Sequence, residues 1–142
     1  MEEPEILIVN DDIILKPIML SDAPMIFNTI DTQRSYLGKW LPFVAFTKKV
    51  ENTRAYIRTL LEMPVEIEEA VYTIRYKGNF AGLIGLKDTD SQNKKTEIGY
   101  WLSEPFQKKG IMTESVKALM NYAFNTLNFN RVQIKCAVGN TL

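Results

Sequence analysis

One stretch of the chain joins a carboxylate on a strand-like segment to a glycine at the mouth of a helix. It runs Glu97-Ile98-Gly99-Tyr100-Trp101-Leu102-Ser103, then Glu104-Pro105-Phe106, then Gln107-Lys108-Lys109-Gly110-Ile111-Met112-Thr113. Gly110 lets the backbone approach a ligand closely. A helix that begins there leaves its first N–H groups without intrahelical partners, and its dipole adds partial positive charge. With Lys108 and Lys109 beside it, this end of the segment suits a pyrophosphate. On spacing alone, a lysine-bearing surface turn before an ordinary helix fits equally well. Period two puts Glu97, Gly99, Trp101 and Ser103 on one face of the strand and Ile98, Tyr100 and Leu102 on the other. Glu97 on a half-buried strand could serve as a base, whereas a solvated charge at a strand end is the plainer reading.

The rest of the composition narrows the chemistry. The chain of 142 residues has no histidine and one cysteine, so a Cys/His zinc site and a Ser-His or Cys-His nucleophile pair are both excluded within it. Acid–base work falls to Asp, Glu, Lys, Tyr, Cys or the substrate itself. Hydrophobic residues make up 46% and charged residues 24%, the balance of a globular protein with a real core. A formal net charge of zero argues against a broad nucleic-acid footprint. The N-terminus, Met1-Glu2-Glu3-Pro4-Glu5, is acidic where a secretory signal is basic, and no apolar run has the length of a membrane span, so a cytoplasmic protein is expected.

The elements that must position the segment can be read along the chain. Asp12 to Ile18 is β-branched and predicts a first strand. Ser21-Asp22 starts a helix with Pro24 in its first turn. Tyr36 to Phe46 carries four aromatics broken by Gly38 and Pro42, and predicts an irregular loop that either caps the core or walls a cleft. Thr47 is placed to cap a second helix, with Val50, Ile57, Leu60 and Leu61 on one face and Pro64 ending it. Ala70 to Tyr76, the turn Lys77-Gly78-Asn79, and Phe80 to Leu86 read as a hairpin. Gly82 and Gly85 in its second arm suggest a bulge or a close neighbour. Asp88 to Lys95 reads as a polar loop and Thr96 to Ser103 as the third strand. Thr113 to Leu127 predicts a helix with a stripe of Val116, Leu119, Met120, Ala123, Phe124 and Leu127, ended by Asn128 in a left-handed conformation. Arg131 to Val138 alternates as a last strand, with Cys136 as a small buried hydrophobe. The final strand–helix–strand unit can form a parallel pair. Together these elements predict one α/β domain over residues 1–142, a mixed β-sheet flanked by helices.

Three blocks then carry a specific resemblance: Glu97-Ile-Gly-Tyr-Trp-Leu102; Gln107-x-x-Gly-Ile-Met-Thr-Glu114; and Asn130-Arg-Val-Gln-Ile-Lys-Cys-Ala-Val-Gly-Asn140. They resemble the GNAT superfamily of acetyl-CoA-dependent N-acetyltransferases, within it the RimJ/RimL-type branch that acetylates N-terminal amines of ribosomal proteins. The resemblance covers essentially the whole chain. It implies the GNAT-type acyl-CoA N-acyltransferase fold, acetyl-CoA as cosubstrate and no metal. The family's Gln/Arg-x-x-Gly-x-Gly/Ala pattern falls on Gln107, Gly110 and Met112, so the backbone of Lys108, Lys109, Gly110, Ile111, Met112 and Thr113 would hold the pyrophosphate. Met112 replaces a small residue, which a contact made through backbone N–H tolerates. Trp101 and Leu102 would pair with the pantetheine amides, as a peptide adds to a sheet edge. Asn140 would face the pantetheine arm. Glu97 would be the general base, and an N–H from the Trp101 region would stabilise the oxyanion.

The resemblance also predicts a further helix and two strands after Asn140, so the family fold is expected to lack its C-terminal part here. A last strand without its cover could draw a second copy of the chain into a homo-oligomer. The acceptor is expected to be a protein N-terminus, with a small amine such as a polyamine or antibiotic as the alternative; neither nucleic acid nor membrane is expected as a partner. A non-catalytic acyl-CoA-binding domain is the competing class.

Overall fold

The computed structural model describes residues 6–64, 69–107 and 109–136. Six strands form one sheet in sequence order: β1 (Leu7–Ile8), β2 (Ile13–Pro17), β3 (Ala70–Tyr76), β4 (Asn79–Asp90), β5 (Lys95–Leu102) and β6 (Arg131–Cys136). Among the described residues four α-helices accompany it: α1 (Ala23–Thr32), α2 (Arg34–Leu37), α3 (Val50–Leu61) and α4 (Ile111–Asn125). Neighbouring strands are antiparallel except β5 and β6, which run parallel from Lys95↔Arg131 to Tyr100↔Cys136, as the strand–helix–strand order predicts. The expected mixed sheet flanked by helices is therefore the observed one.

Alternation along the strands divides the core in two. Leu15, Tyr72, Ile74, Ile84, Ile98, Tyr100 and Leu102 pack with Ile111, Met112, Val116, Leu119 and Ala123 of α4. On the opposite face Leu83 and Trp101 pack with Ile18, Ile26 and Ile30 of the α1 region, Leu37 of α2 and Ile57 of α3. β5 contributes to both clusters, which holds the site-bearing strand from two sides.

Local chemistry explains the connections. Asn10 turns β1 into β2 by accepting the N–H groups of Asp12 and Ile13 on its Oδ1, at 2.8 and 2.9 Å. This short edge strand is not evident from the sequence. Lys77 and Gly78 both take positive φ, +49° and +84°, which matches the right-handed twist of a two-residue hairpin turn.

Several local expectations are corrected. Thr47 does not cap α3: its hydroxyl donates to the Phe43 carbonyl, and Lys49 is the cap, while Asn52 Oδ1 accepts from the N–H groups of Lys48 and Lys49. The longer Asn52 side chain reaches back over the turn and leaves Thr47 to close the segment before it. Leu61, placed on the buried face by periodicity, is 55% exposed at the frayed end of α3, and the helix stops there before Pro64. Phe124 of α4 is likewise exposed. The aromatic segment is not an irregular loop but α2 followed by a 3-10 turn, Pro42–Phe46. Arg34 fixes that turn by donating to the carbonyls of Val44 (2.9 Å) and Thr47 (2.5 Å). β4 continues through the expected loop as far as Asp90. A register shift there is absorbed where Asp88 takes φ +49°, and the Thr89 and Thr96 hydroxyls bond at 2.8 Å. Helix α4 begins at Ile111 rather than Thr113 and ends at Asn125, and Asn128 takes the expected left-handed conformation at φ +60°.

Gly82 and Gly85 mark close approaches, as their place in a strand suggests. A Cβ on Gly82 would overlap the carbonyl oxygen of Trp101, and one on Gly85 would sit 2.5 Å from the carbonyl oxygen of Ala70. The ladder also shifts register beside Gly82, where Ile74 pairs with Gly82 but Arg75 with Phe80. Gly82→Ala is expected to destabilise the fold by about 3 kcal/mol, the upper end of ordinary overpacking, because the obstacle is backbone and cannot rotate away. A denaturation midpoint equal to wild type would show that β5 can move aside.

Candidate active site

The site grows from the end of β5. The Ser103 N–H donates to the Ala81 carbonyl at 2.7 Å, which makes Ser103 the last residue bonded to β4. In an antiparallel ladder successive residues alternate sides, so Trp101 also faces β4 and the amide and carbonyl of Leu102 face the other edge. That edge is the β6 side, and among the described residues the β5–β6 register ends at Tyr100↔Cys136. The side chain of Gln107 donates to the Leu102 carbonyl at 3.2 Å. Leu102 thus turns its N–H to the β6 side, where among the described residues no strand partner stands opposite it, beside the loop that follows. The Trp101 side chain is buried against Leu83 and Phe80, with the Phe80 and Trp101 rings edge to face at 5.9 Å, so it packs and does not line the opening.

From Leu102 the chain makes a 3-10 turn, Glu104–Phe106, and reaches Gly110, the N-cap of α4. Gly110 has φ +74° and ψ 3°, the left-handed region, and nothing lies within 4 Å of where its Cβ would be. The first helical bond runs from the Glu114 N–H to the Gly110 carbonyl at 3.1 Å. The N–H groups of Ile111, Met112 and Thr113 precede it and point out of the helix end. The side chains of Ile111 and Met112 are buried in the α4 core cluster, so the larger residue at 112 costs the loop nothing. Lys109 is exposed and Thr113 half-buried. Lys108, the side chain of Cys136 and Asn140 lie outside the described residues.

Glu97 sits half-buried further up β5, on the face shared with Gly99 and Trp101. With Asp88, Lys95, Thr96, Arg131 and Gln133 it lines a concavity of about 120 Å³. Its cross-strand partner on β4 is Lys87, whose side chain lies over Gly99: a Cβ there would come within 2.8 Å of Lys87 Cε. Between Glu97 and Trp101 the surface is therefore a glycine crossed by a lysine stem, a detail no spacing argument supplies.

A second, more open hollow of about 410 Å³ lies at the junction of α1 and α2, among Asp31, Gln33, Arg34, Tyr36, Lys39 and Glu104. Tyr36 stacks edge to face on Trp40 at 4.9 Å. Burial, and then the Glu104 carboxylate, hold its phenol above the ordinary tyrosine range, so it stays protonated at neutral pH. Of the expected aromatic wall, Tyr36 lines this hollow, while Phe43 and Phe46 face solvent.

These parts fit a CoA-type ligand: helix-end N–H groups and a helix dipole at a side-chain-free glycine, next to a strand edge without a partner among the described residues. Among the described residues no group of three or more His, Cys, Asp or Glu side chains could hold a metal ion, and no helix is long and apolar enough to cross a membrane.

Residues 12–142 match the acetyltransferase (GNAT) domain family, so the chain belongs to it; the class of reaction is acetyl transfer from acetyl-CoA. Its relatives include ribosomal-protein acetyltransferases. A protein of Bacillus subtilis (strain 168) provisionally named a ribosomal N-acetyltransferase, YdaF, is 33% identical over 136 residues, covering 93% of this chain and 73% of its own length. The structure of RimL, a ribosomal L7/L12 α-N-protein acetyltransferase in complex with coenzyme A, superposes with a TM-score of 0.86 at 27% identity, over 96% of this chain and 77% of that one. The microcin C7 self-immunity acetyltransferase MccE, bound to acetyl-CoA and AMP, gives a TM-score of 0.83 at 28% identity, over 93% and 73%.

Proposed function

We propose that this chain acetylates the N-terminal amine of a protein, a ribosomal protein in the first instance, using acetyl-CoA. The observation that carries the donor half is Gly110 in the left-handed region at the mouth of α4, beyond the end of the strand that carries Leu102. The acceptor half rests on kinship with proteins named for ribosomal N-acetylation.

In this reading the N–H groups of Ile111, Met112 and Thr113, with Gly110, receive the pyrophosphate. Gln107 orders the loop from within, and Lys108 and Lys109 add positive charge. Leu102 offers its edge amide to the pantetheine arm, Trp101 holds the strand in place from behind, and family resemblance assigns Asn140 to the same arm. The uncharged amine attacks the thioester carbonyl carbon, the C–S bond breaks, and CoA leaves as the thiolate. Glu97, through water, takes the proton of the ammonium form before attack, and the proton that the nitrogen releases as the amide forms passes to the CoA thiolate. An N-terminal amine has a pKa of roughly 7.7–8.0, so Glu97 need remove a proton from only part of the population near neutrality. A backbone N–H at the end of β5 steadies the oxyanion.

The test is CoA release from acetyl-CoA with three acceptors: a peptide with a free α-amine, the same peptide blocked at its N-terminus but carrying lysine, and spermidine. Turnover with the free α-amine peptide is the expected result, and preference for spermidine or lysine would overturn it. CoA at 100 times its Kd should also raise stability by about 2.7 kcal/mol. Stabilisation without turnover on any acceptor would mark a binding domain instead.

A further inference from the structure

We infer that Gln33, far from the donor loop in sequence, is a positioning residue for coenzyme A binding; this rests on the reading of the 102–113 segment given above. Gln33 is the hinge residue between α1 and α2, with φ −122° and ψ 30°. Its side-chain amide makes two hydrogen bonds across the fold. Nε2 donates to Ser103 Oγ at 2.6 Å, and Oε1 accepts from the Glu104 N–H at 2.9 Å. The partners are consecutive residues, at the point where β5 leaves the sheet and the 3-10 turn begins.

The chemistry of that point explains why an amide is needed. Ser103 is only 3% exposed, so its hydroxyl must find a partner inside the protein. The Glu104 N–H opens the 3-10 turn and has no partner within it. One group that donates and accepts at once satisfies both. The rest of the turn is held sparsely. Glu104 and Pro105 are exposed, Phe106 rests edge-on against Tyr76 at 6.0 Å, and Gln107 returns to the Leu102 carbonyl. Gln33 is thus the side-chain tether at the loop's upstream end, beside the backbone bond from Ser103 to Ala81, and the loop's course from Leu102 to Gly110 starts there.

The neighbouring residue extends the consequence. Arg34 grips the carbonyls of Val44 and Thr47 and so fixes the 42–46 turn. Two adjacent side chains therefore fix two separate segments: Gln33 the donor loop, Arg34 the 42–46 turn.

The test is coenzyme A affinity by titration calorimetry, at a temperature well below unfolding, for wild type, Gln33→Met, Ser103→Ala and Gln33→Met/Ser103→Ala. Methionine keeps the length of glutamine and loses both hydrogen bonds. Gln33→Met should raise the Kd for CoA about 10-fold, and Ser103→Ala, which loses one bond, about 3-fold. The double variant should match Gln33→Met, because it leaves no buried hydroxyl orphaned and the loop equally untethered. A lower melting temperature with unchanged Kd in all three variants would make Gln33 a merely structural residue and overturn the inference. If those Kd values are unchanged while Gly110→Val abolishes binding, only the role of Gln33 falls. If wild type binds no CoA, the reading of the loop falls and Gln33's role goes with it.

Discussion

Gly110→Val should weaken coenzyme A binding by at least ~100-fold and leave the fold intact. The left-handed conformation at φ +74° costs an L-residue about 1–2 kcal/mol, and a β-branched one more. The chain can relieve that strain by turning residue 110 to negative φ, which swings the N–H groups at the start of α4 away from their common target. The valine side chain would also occupy the open space in front of the helix end. Because nothing lies within 4 Å of that Cβ, no core contact is lost. Gly110→Ala meets the same backbone strain without the branched bulk and should lose about 10-fold. Calorimetric titration with CoA, alongside far-UV circular dichroism, reads both terms. Valine-variant binding at the wild-type level would place the pyrophosphate elsewhere.

The second large effect is expected at Glu97. Glu97→Gln keeps the shape and removes the base, and turnover near pH 6.5 should fall about 10-fold or more, because only roughly a twentieth of such an amine is uncharged there. Sign and window follow from the acceptor. Below an amine pKa of roughly 7.7–8.0 most acceptor is protonated and the base is needed; by pH 9 most is already neutral, so the deficit should shrink. CoA affinity should be unchanged, because Glu97 lies up the strand from the loop that holds the donor. A deficit that is the same at every pH, or no deficit, would remove Glu97 from proton transfer.

The ladder of strands was largely legible because apolar and β-branched segments of strand length stand between turn signals, and Gly82 and Gly85 announced close packing by interrupting an apolar run. Asn128 was legible for a similar reason, since few residues other than glycine tolerate φ near +60°. The polar stretch 88–95 hid the end of β4, because a hairpin tip exposed on both faces has no hydrophobic period to read. Thr47 was a reasonable cap by type, but Asn52 competes for the same N–H groups, and which side chain wins depends on a turn that spacing does not describe. Within the site, Gly110 and Glu97 stood out as a helix mouth and a strand carboxylate. Gln33 did not, because its partners are about seventy residues away and a lone glutamine at a helix junction carries no periodic signal. Lys87 was hidden in the same way, opposite Glu97 only once β4 and β5 are in register.

The placement of β5 between two packed clusters bears on how such a protein can be redirected to a new amine. Substitutions at Ile98, Tyr100, Trp101 or Leu102 each disturb one of two interiors, so random variation there will mostly yield insoluble protein. The stretch from Gln33 to Phe46 is different: Ser35, Lys39, Phe43 and Phe46 are exposed on a scaffold already pinned by Arg34. A library for altered acceptor preference belongs on those four positions, with β5 left untouched as the fixed rail along which the donor is proposed to lie.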